Sequence, residues 1–210
     1  MPKTGPFERY TKRYEEWFEK NRVIYRSELR AVRELLPQVG VGIEIGVGTG
    51  RFATPLGIQF GVDPSRNMAR VAAKRGIQVI GGQAEALPLR SGNFDFALMV
   101  TTICFLDDVS MALQEANRIL KPGGALIVGF IDRQSFLGRQ YEQNGAQNPF
   151  YKEATFYAVD EVRILMEKAG FGDFTFRQTI FRRREDLRME EPVEDGFGQG
   201  AFVVVKGYKM

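Results

Sequence analysis

Val41-Gly42-Ile43-Glu44-Ile45-Gly46-Val47-Gly48-Thr49-Gly50 is the stretch that decides the fold. Val41, Ile43 and Ile45 alternate with small or polar residues and run into three glycines, the pattern of a buried strand entering a tight turn. A turn without side chains there lets the main chain approach a nucleotide-like ligand. The same glycines also suit a tight connection that binds nothing.

Outward from this turn, apolar and helical patterns alternate. Ile58 to Val62 reads as a second strand ending at Asp63-Pro64-Ser65, whose proline and hydroxyl predict a helix over 65–75. Further strands are expected at Ile77 to Ile80, Phe94 to Val100 and Ala125 to Ile131. Asp107 or Asp108 caps the helix between the last two, with Val109, Ala112, Leu113, Ala116 and Leu120 inward and Lys121-Pro122-Gly123-Gly124 as its stop. Asp160 caps a later helix ending at Gly170, followed by strand-like segments at Phe174 to Phe181 and Ala201 to Val205. Before Pro37, aromatic and apolar spacings predict one or two helices.

Strands joined by crossover helices give a largely parallel sheet covered on both faces. The last two strands lack a helix between them, which permits antiparallel pairing. The expectation is an α/β chain with seven strands and an antiparallel end.

Composition narrows the chemistry. With 210 residues, 44% hydrophobic and 26% charged, the chain is expected to form one domain over 1–210. A formal charge of +3 does not call for a polyanionic partner, so no nucleic acid is expected. One cysteine excludes an internal disulfide and multi-cysteine metal sites, and the absence of histidine removes the usual neutral-pH base. The polar start, Met1 to Tyr10, and the shortness of the apolar run Phe96 to Leu106 predict a cytoplasmic protein without a membrane span.

Asp63 stands seventeen residues after Gly46, close to the spacing of an acid that holds a ribose diol. A nicotinamide fingerprint is weaker, because Arg51 stands where its third glycine belongs. The chain resembles the class I S-adenosylmethionine-dependent methyltransferases through five ordered motifs: Ile43 to Gly50, Gly61-Val62-Asp63-Pro64-Ser65, Ala86-Leu87-Pro88-Leu89, Phe94-Asp95 and Leu120 to Gly124. The match is strong over about Val39 to Asp132 and closest to the small-molecule branch.

The resemblance implies a Rossmann-like fold and S-adenosylmethionine as cofactor. It implies that Glu44 and the turn carrying Gly46, Val47, Gly48 and Gly50 serve the methionine and ribose portions, and that Asp63, followed by Pro64, takes the ribose hydroxyls. The adenine loop usually reads Gly-Asp-Ala-Glu; here it is Gly82-Gln83-Ala84-Glu85, a departure in which Gln83 can still accept from the adenine amino group. Thr101 falls where the family's chain passes the methionine end. Cys104 and Phe105 replace two histidines of many relatives.

Methyl transfer to a small-molecule acceptor by in-line displacement is the implied reaction. It depends chiefly on proximity, which can supply ~7–11 kcal/mol without a dedicated base. If a proton must leave, Asp132 is the expected base, with Asp107, Asp108, Tyr141 and Tyr157 as further candidates. Acceptor choice is expected to lie with a helical cap (1–37) and an insertion (133–157) holding Phe136, Tyr141, Phe150, Tyr151, Phe156 and Tyr157. Arg182-Arg183-Arg184 reads as a solvated loop, and Glu190 to Gly200 as a mobile connection. A cofactor-binding protein with another reaction or none, and an NAD(P)-dependent oxidoreductase, remain open alternatives.

Overall fold

The computed structural model describes residues 4–145 and 148–210, so Met1 to Lys3 of the expected cap and Ala146 and Gln147 of the expected insertion lie outside the described residues. Five parallel strands form one side of the sheet: β1 (Gly42–Ile45), β2 (Phe60–Asp63), β3 (Gln78–Gly81), β4 (Phe94–Val100) and β5 (Leu120–Ile131). On the other side, β8 (Phe202–Lys209) lies antiparallel between β5 and β6 (Phe171–Thr179). A two-residue strand, β7 (Glu194–Asp195), adds an edge beyond the seven expected, giving the order β3-β2-β1-β4-β5-β8-β6-β7.

Period-two alternation sends β4 side chains to opposite faces. Ala97 and Met99 pack with Leu113 and Ala116 of α6 (Val109–Ile119) and Met166 of α8 (Val159–Lys168). Phe96, Leu98 and Val100 pack with Ala31, Val32 and Leu35 of α3 (Arg22–Leu35), and with Ala53 of α4 (Ala53–Leu56) and Ala72 of α5 (Arg66–Lys74). Strands covered on both faces need apolar residues throughout, which explains their nearly continuous apolar runs.

The amino-terminal segment forms three helices rather than one or two: α1 (Gly5–Arg9), α2 (Thr11–Lys20) and α3. Their junctions, Tyr10 and Asn21, have φ of −120° and −121° without a proline or glycine to signal a break. Arg51 pairs with Glu15 at 2.6 Å and Glu19 at 3.0 Å, fixing α2 against the glycine turn.

Two other boundaries differ from expectation. Helix α6 stops at Ile119, and Lys121 to Gly124 belong to β5, where the β4 register shifts between Phe94 and Phe96. Lys121 pairs with Asp95 at 2.8 Å across this irregularity. Asp160 lies in the first turn of α8 and does not cap it; Ala158 is the cap, and its amide donates to Glu161 Oε2 at 2.8 Å. Ser65 and Asp108 cap α5 and α6 through the amides of Met68 and Met111.

The expected mobile connection is anchored by Glu191, only 2% exposed. Its carboxylate accepts from the amides of Phe181 and Arg182 at 2.6 and 3.0 Å, and its own amide donates to Ser27 Oγ at 2.9 Å. A short acidic sequence hides this, because the partners come from α3 and the end of β6.

Candidate active site

Beyond β1, the amides of Gly46 and Val47 donate to the Val62 carbonyl at 2.8 and 3.0 Å, stitching the glycine turn to β2. Gly46, Gly48 and Gly50 all have positive φ, at 74°, 54° and 81°. The space they leave is not all for a ligand. A Cβ at Gly46 would lie 2.5 Å from Thr102 Cγ2, and one at Gly50 would lie 3.3 Å from Ile77 and 3.5 Å from Ala72. Gly46 thus admits the loop after β4, and Gly50 admits α5. Arg51 turns toward α2, so its bulk does not obstruct this packing.

Asp63 joins the turn to the next helix. Its Oδ2 accepts from the Gly48 amide at 2.7 Å, and its Oδ1 from the Ser65 amide at 2.8 Å. Burial pushes its carboxyl up to about 6, against these two hydrogen bonds, which favour the charged form.

Eight residues named from the sequence line one crevice: Gly46, Gly48, Asp63, Pro64, Gln83, Ala84, Glu85 and Thr101. Their convergence follows from topology, since the loops after β1, β2, β3 and β4 all leave the carboxyl ends of parallel strands. Glu85 also fixes the far wall, its Oε1 accepting from the amide of Asp107 at 2.9 Å. Val47 and Gly50 are not lining residues; the Val47 side chain packs on Gly61. Glu44 is buried behind the turn, where it accepts from the Ala53 amide, and its Oε2 has no partner among the described residues. Burial raises its carboxyl well above the usual range.

The expected base, Asp132, is placed elsewhere. It is 3% exposed, its Oδ1 accepts from the Gln134 amide at 3.0 Å, and it lines neither this crevice nor its neighbour. The structure gives Asp132 the work of holding the turn after β5. Asp108 is occupied as a helix cap.

A second cavity, of about 310 Å³, adjoins the crevice. Its walls are Tyr14, Trp17 and Phe18 from α2 and Tyr141, Phe150, Tyr151, Phe156 and Tyr157 from the expected insertion; Phe136 is outside it. Phe7, Tyr14, Thr101 and Phe105 line both spaces. Phe7 meets Phe105 edge to face at 4.9 Å, tying α1 to the loop after β4. Thr101 sits at this boundary with φ of 51°, an uncommon conformation for a β-branched residue.

Sequence reasoning did not name Arg184 or Glu28 as site residues. Arg182 to Arg184 are exposed, as a solvated loop requires, yet Arg184 also lines the cavity and Arg182 pairs with the buried Glu191 at 3.2 Å. Glu28 is 4% exposed on the inner face of α3 and also lines the cavity. Its signal was available: Ile24, Ala31, Val32 and Leu35 form a buried stripe, and Glu28 interrupts it at helical spacing. No cluster of His, Cys, Asp or Glu suited to a metal occurs among the described residues, and none of their helices is long and apolar enough to cross a membrane.

Residues 43–128 match the family model described as a methyltransferase domain. A crystal structure of an S-adenosylmethionine-dependent methyltransferase from Thermotoga maritima, described as a possible histamine N-methyltransferase, is 56% identical, with a TM-score of 0.96 over 99% of this chain and 100% of that one. The chain belongs to the S-adenosylmethionine-dependent methyltransferases. An uncharacterized protein of Methanocaldococcus jannaschii is 43% identical to this methyltransferase over 97% of the chain and 98% of its own length. A ubiquinone/menaquinone biosynthesis C-methyltransferase of Syntrophotalea carbinolica is 36% identical over 49% of each. The methyltransferase therefore uses S-adenosylmethionine, and the nicotinamide alternative is set aside.

Proposed function

We propose that this enzyme transfers the methyl group of S-adenosylmethionine by in-line displacement to a small organic acceptor, with cofactor in the glycine-turn crevice and acceptor in the aromatic cavity. The observation that carries this reading is the shared wall: Phe7, Tyr14, Thr101 and Phe105 belong to both spaces. The crevice suits a sulfonium nucleoside because it joins main-chain surface at Gly46 and Gly48 with the buried carboxylate of Asp63.

When bound, S-adenosylmethionine supplies an already activated methyl. The chain's own task is to hold and orient. Asp63 accepts from the ribose hydroxyls, beside Pro64; Gln83 and the Ala84 main chain meet the adenine edge, with Glu85 bracing their loop. Glu44 supports the turn from behind, and Val47 and Gly50 give it its shape. Thr101, held by its amide to the Gly129 carbonyl at 2.8 Å, fixes the boundary where the reactants meet. Aromatic rings at that boundary exclude water, and alignment of the kind they impose can supply ~7–11 kcal/mol.

The test is to incubate the enzyme with methyl-labelled S-adenosylmethionine and a cell extract, then separate the extract by a small-pore filter. Label should pass the filter in an enzyme-dependent product. Label retained only on protein or nucleic acid would contradict a small acceptor.

A further inference from the structure

Glu28 is an uncompensated acid in an otherwise aromatic enclosure. Its side chain lines the cavity from α3, and burial alone acts on its carboxyl, pushing it up to about 8; no donor or cation among the described residues holds it. Leaving such a group unpaired costs stability that an apolar residue in the same stripe would not.

The surroundings indicate what would pair with it. Tyr141 from α7 (Phe136–Asn144) stacks on Tyr151 at 4.6 Å, and both hydroxyls feel the Glu28 charge. Phe156 lies 5.9 Å from Tyr141. Aromatic faces beside a single buried carboxylate attract a cation, through ring quadrupoles and direct charge pairing. Arg184, from the segment anchored by Glu191, and Arg13, from α2, also line the cavity but are exposed, which puts them at its solvent end. Glu191 itself, next to Ser27, is engaged by Arg182 and two amides. When ionised, Glu28 places a negative charge in the cavity with no partner among the described residues, while Arg184, whose charge also reaches the Tyr141 hydroxyl, and Arg13 are exposed. A volume of about 310 Å³ falls at the small end of the roughly 300–1,000 Å³ common for ligand pockets.

We propose that Glu28 is the specificity-determining anchor for a positively charged nitrogen on the methyl acceptor, which makes the acceptor a small amine with an apolar, aromatic-sized body. The inference rests on the aromatic cavity being the acceptor site. A neutral acceptor would leave Glu28 unpaired, and an anionic one would meet it with like charge.

Trp17 provides the readout, because it is the chain's one tryptophan and lines the cavity. Protein saturated with S-adenosylhomocysteine is titrated with 2-phenylethylamine and, separately, with 2-phenylethanol, following Trp17 fluorescence in the wild type and in Glu28→Gln. The wild type should prefer the amine by about tenfold or more, the scale of one charge-assisted contact. Glu28→Gln should lose that preference while binding S-adenosylhomocysteine as before, since Glu28 does not line the crevice. Pairing requires the carboxylate, so wild-type amine affinity should rise between pH 6 and about 8, and the Gln variant should show no such rise. Equal binding of amine and alcohol by the wild type, absence of amine binding, or a preference retained in Glu28→Gln would overturn the role of Glu28 alone. Failure of the wild type to bind S-adenosylhomocysteine would overturn the cofactor reading beneath it as well.

Discussion

Gly48 donates its amide to Asp63 Oδ2 at 2.7 Å, so the acid proposed to take the ribose hydroxyls also holds the turn on which a cofactor would rest. The second oxygen is engaged by Ser65 at 2.8 Å. Binding and local stability are therefore linked at one carboxylate, and Asp63→Ala should affect both. It leaves two amides without their acceptor, which costs about 1–3 kcal/mol. Calorimetry should show weaker S-adenosylhomocysteine binding, by roughly tenfold or more. Unchanged affinity would remove Asp63 from the ribose role.

Acid should weaken cofactor binding. Burial raises Asp63 to about 6, and only its ionised form can accept from both ribose hydroxyls alongside the two amides. Affinity for S-adenosylhomocysteine should be steady above that value and decline as pH falls through it. Asp63→Asn should flatten the decline, measured by titration between pH 5 and 8.

Gly46→Ala should destabilise the fold even without a ligand. Its φ is 74°, and the added Cβ would meet Thr102 at 2.5 Å. Strain and overpacking of this kind cost about 1–3 kcal/mol each. A melting temperature equal to the wild type would show that the loop after β4 can yield.

Alkali should penalise the wild type more than Glu28→Gln. The folded carboxyl at about 8 lies above its ordinary 4.5, so folding binds a proton there. That stabilisation is present below the unfolded value and is lost as pH rises through the folded one. Glu28→Gln should therefore gain in melting temperature relative to the wild type between pH 5 and pH 9. A domain of this size shifts by about 2–4 °C per kcal/mol. A pH-independent difference would mean that Glu28 does not titrate in the fold.

The sheet and the crevice were legible because their signals are local. Three glycines, Asp63-Pro64-Ser65 and the Gly82 to Glu85 loop each impose main-chain geometry, and parallel topology then gathers them at one edge. Asp132 is less legible: a strand's carboxyl end gives its position, but not the Gln134 amide that donates to its Oδ1. Arg184 and Glu191 acquire meaning only from residues far away in sequence, and no proline or glycine marks the breaks at Tyr10 and Asn21. Glu28 was visible as a charge in an apolar stripe, yet only the fold shows that it lines an aromatic cavity.

A crystal structure of the enzyme with S-adenosylhomocysteine tests the central arrangement most directly. The ribose should lie on Asp63, the adenine against Gln83 and Ala84, and the sulfur should face the Thr101 boundary, with the aromatic cavity beyond it left for an acceptor. A nucleoside bound inside the aromatic cavity, or anywhere away from Gly48 and Asp63, would contradict it.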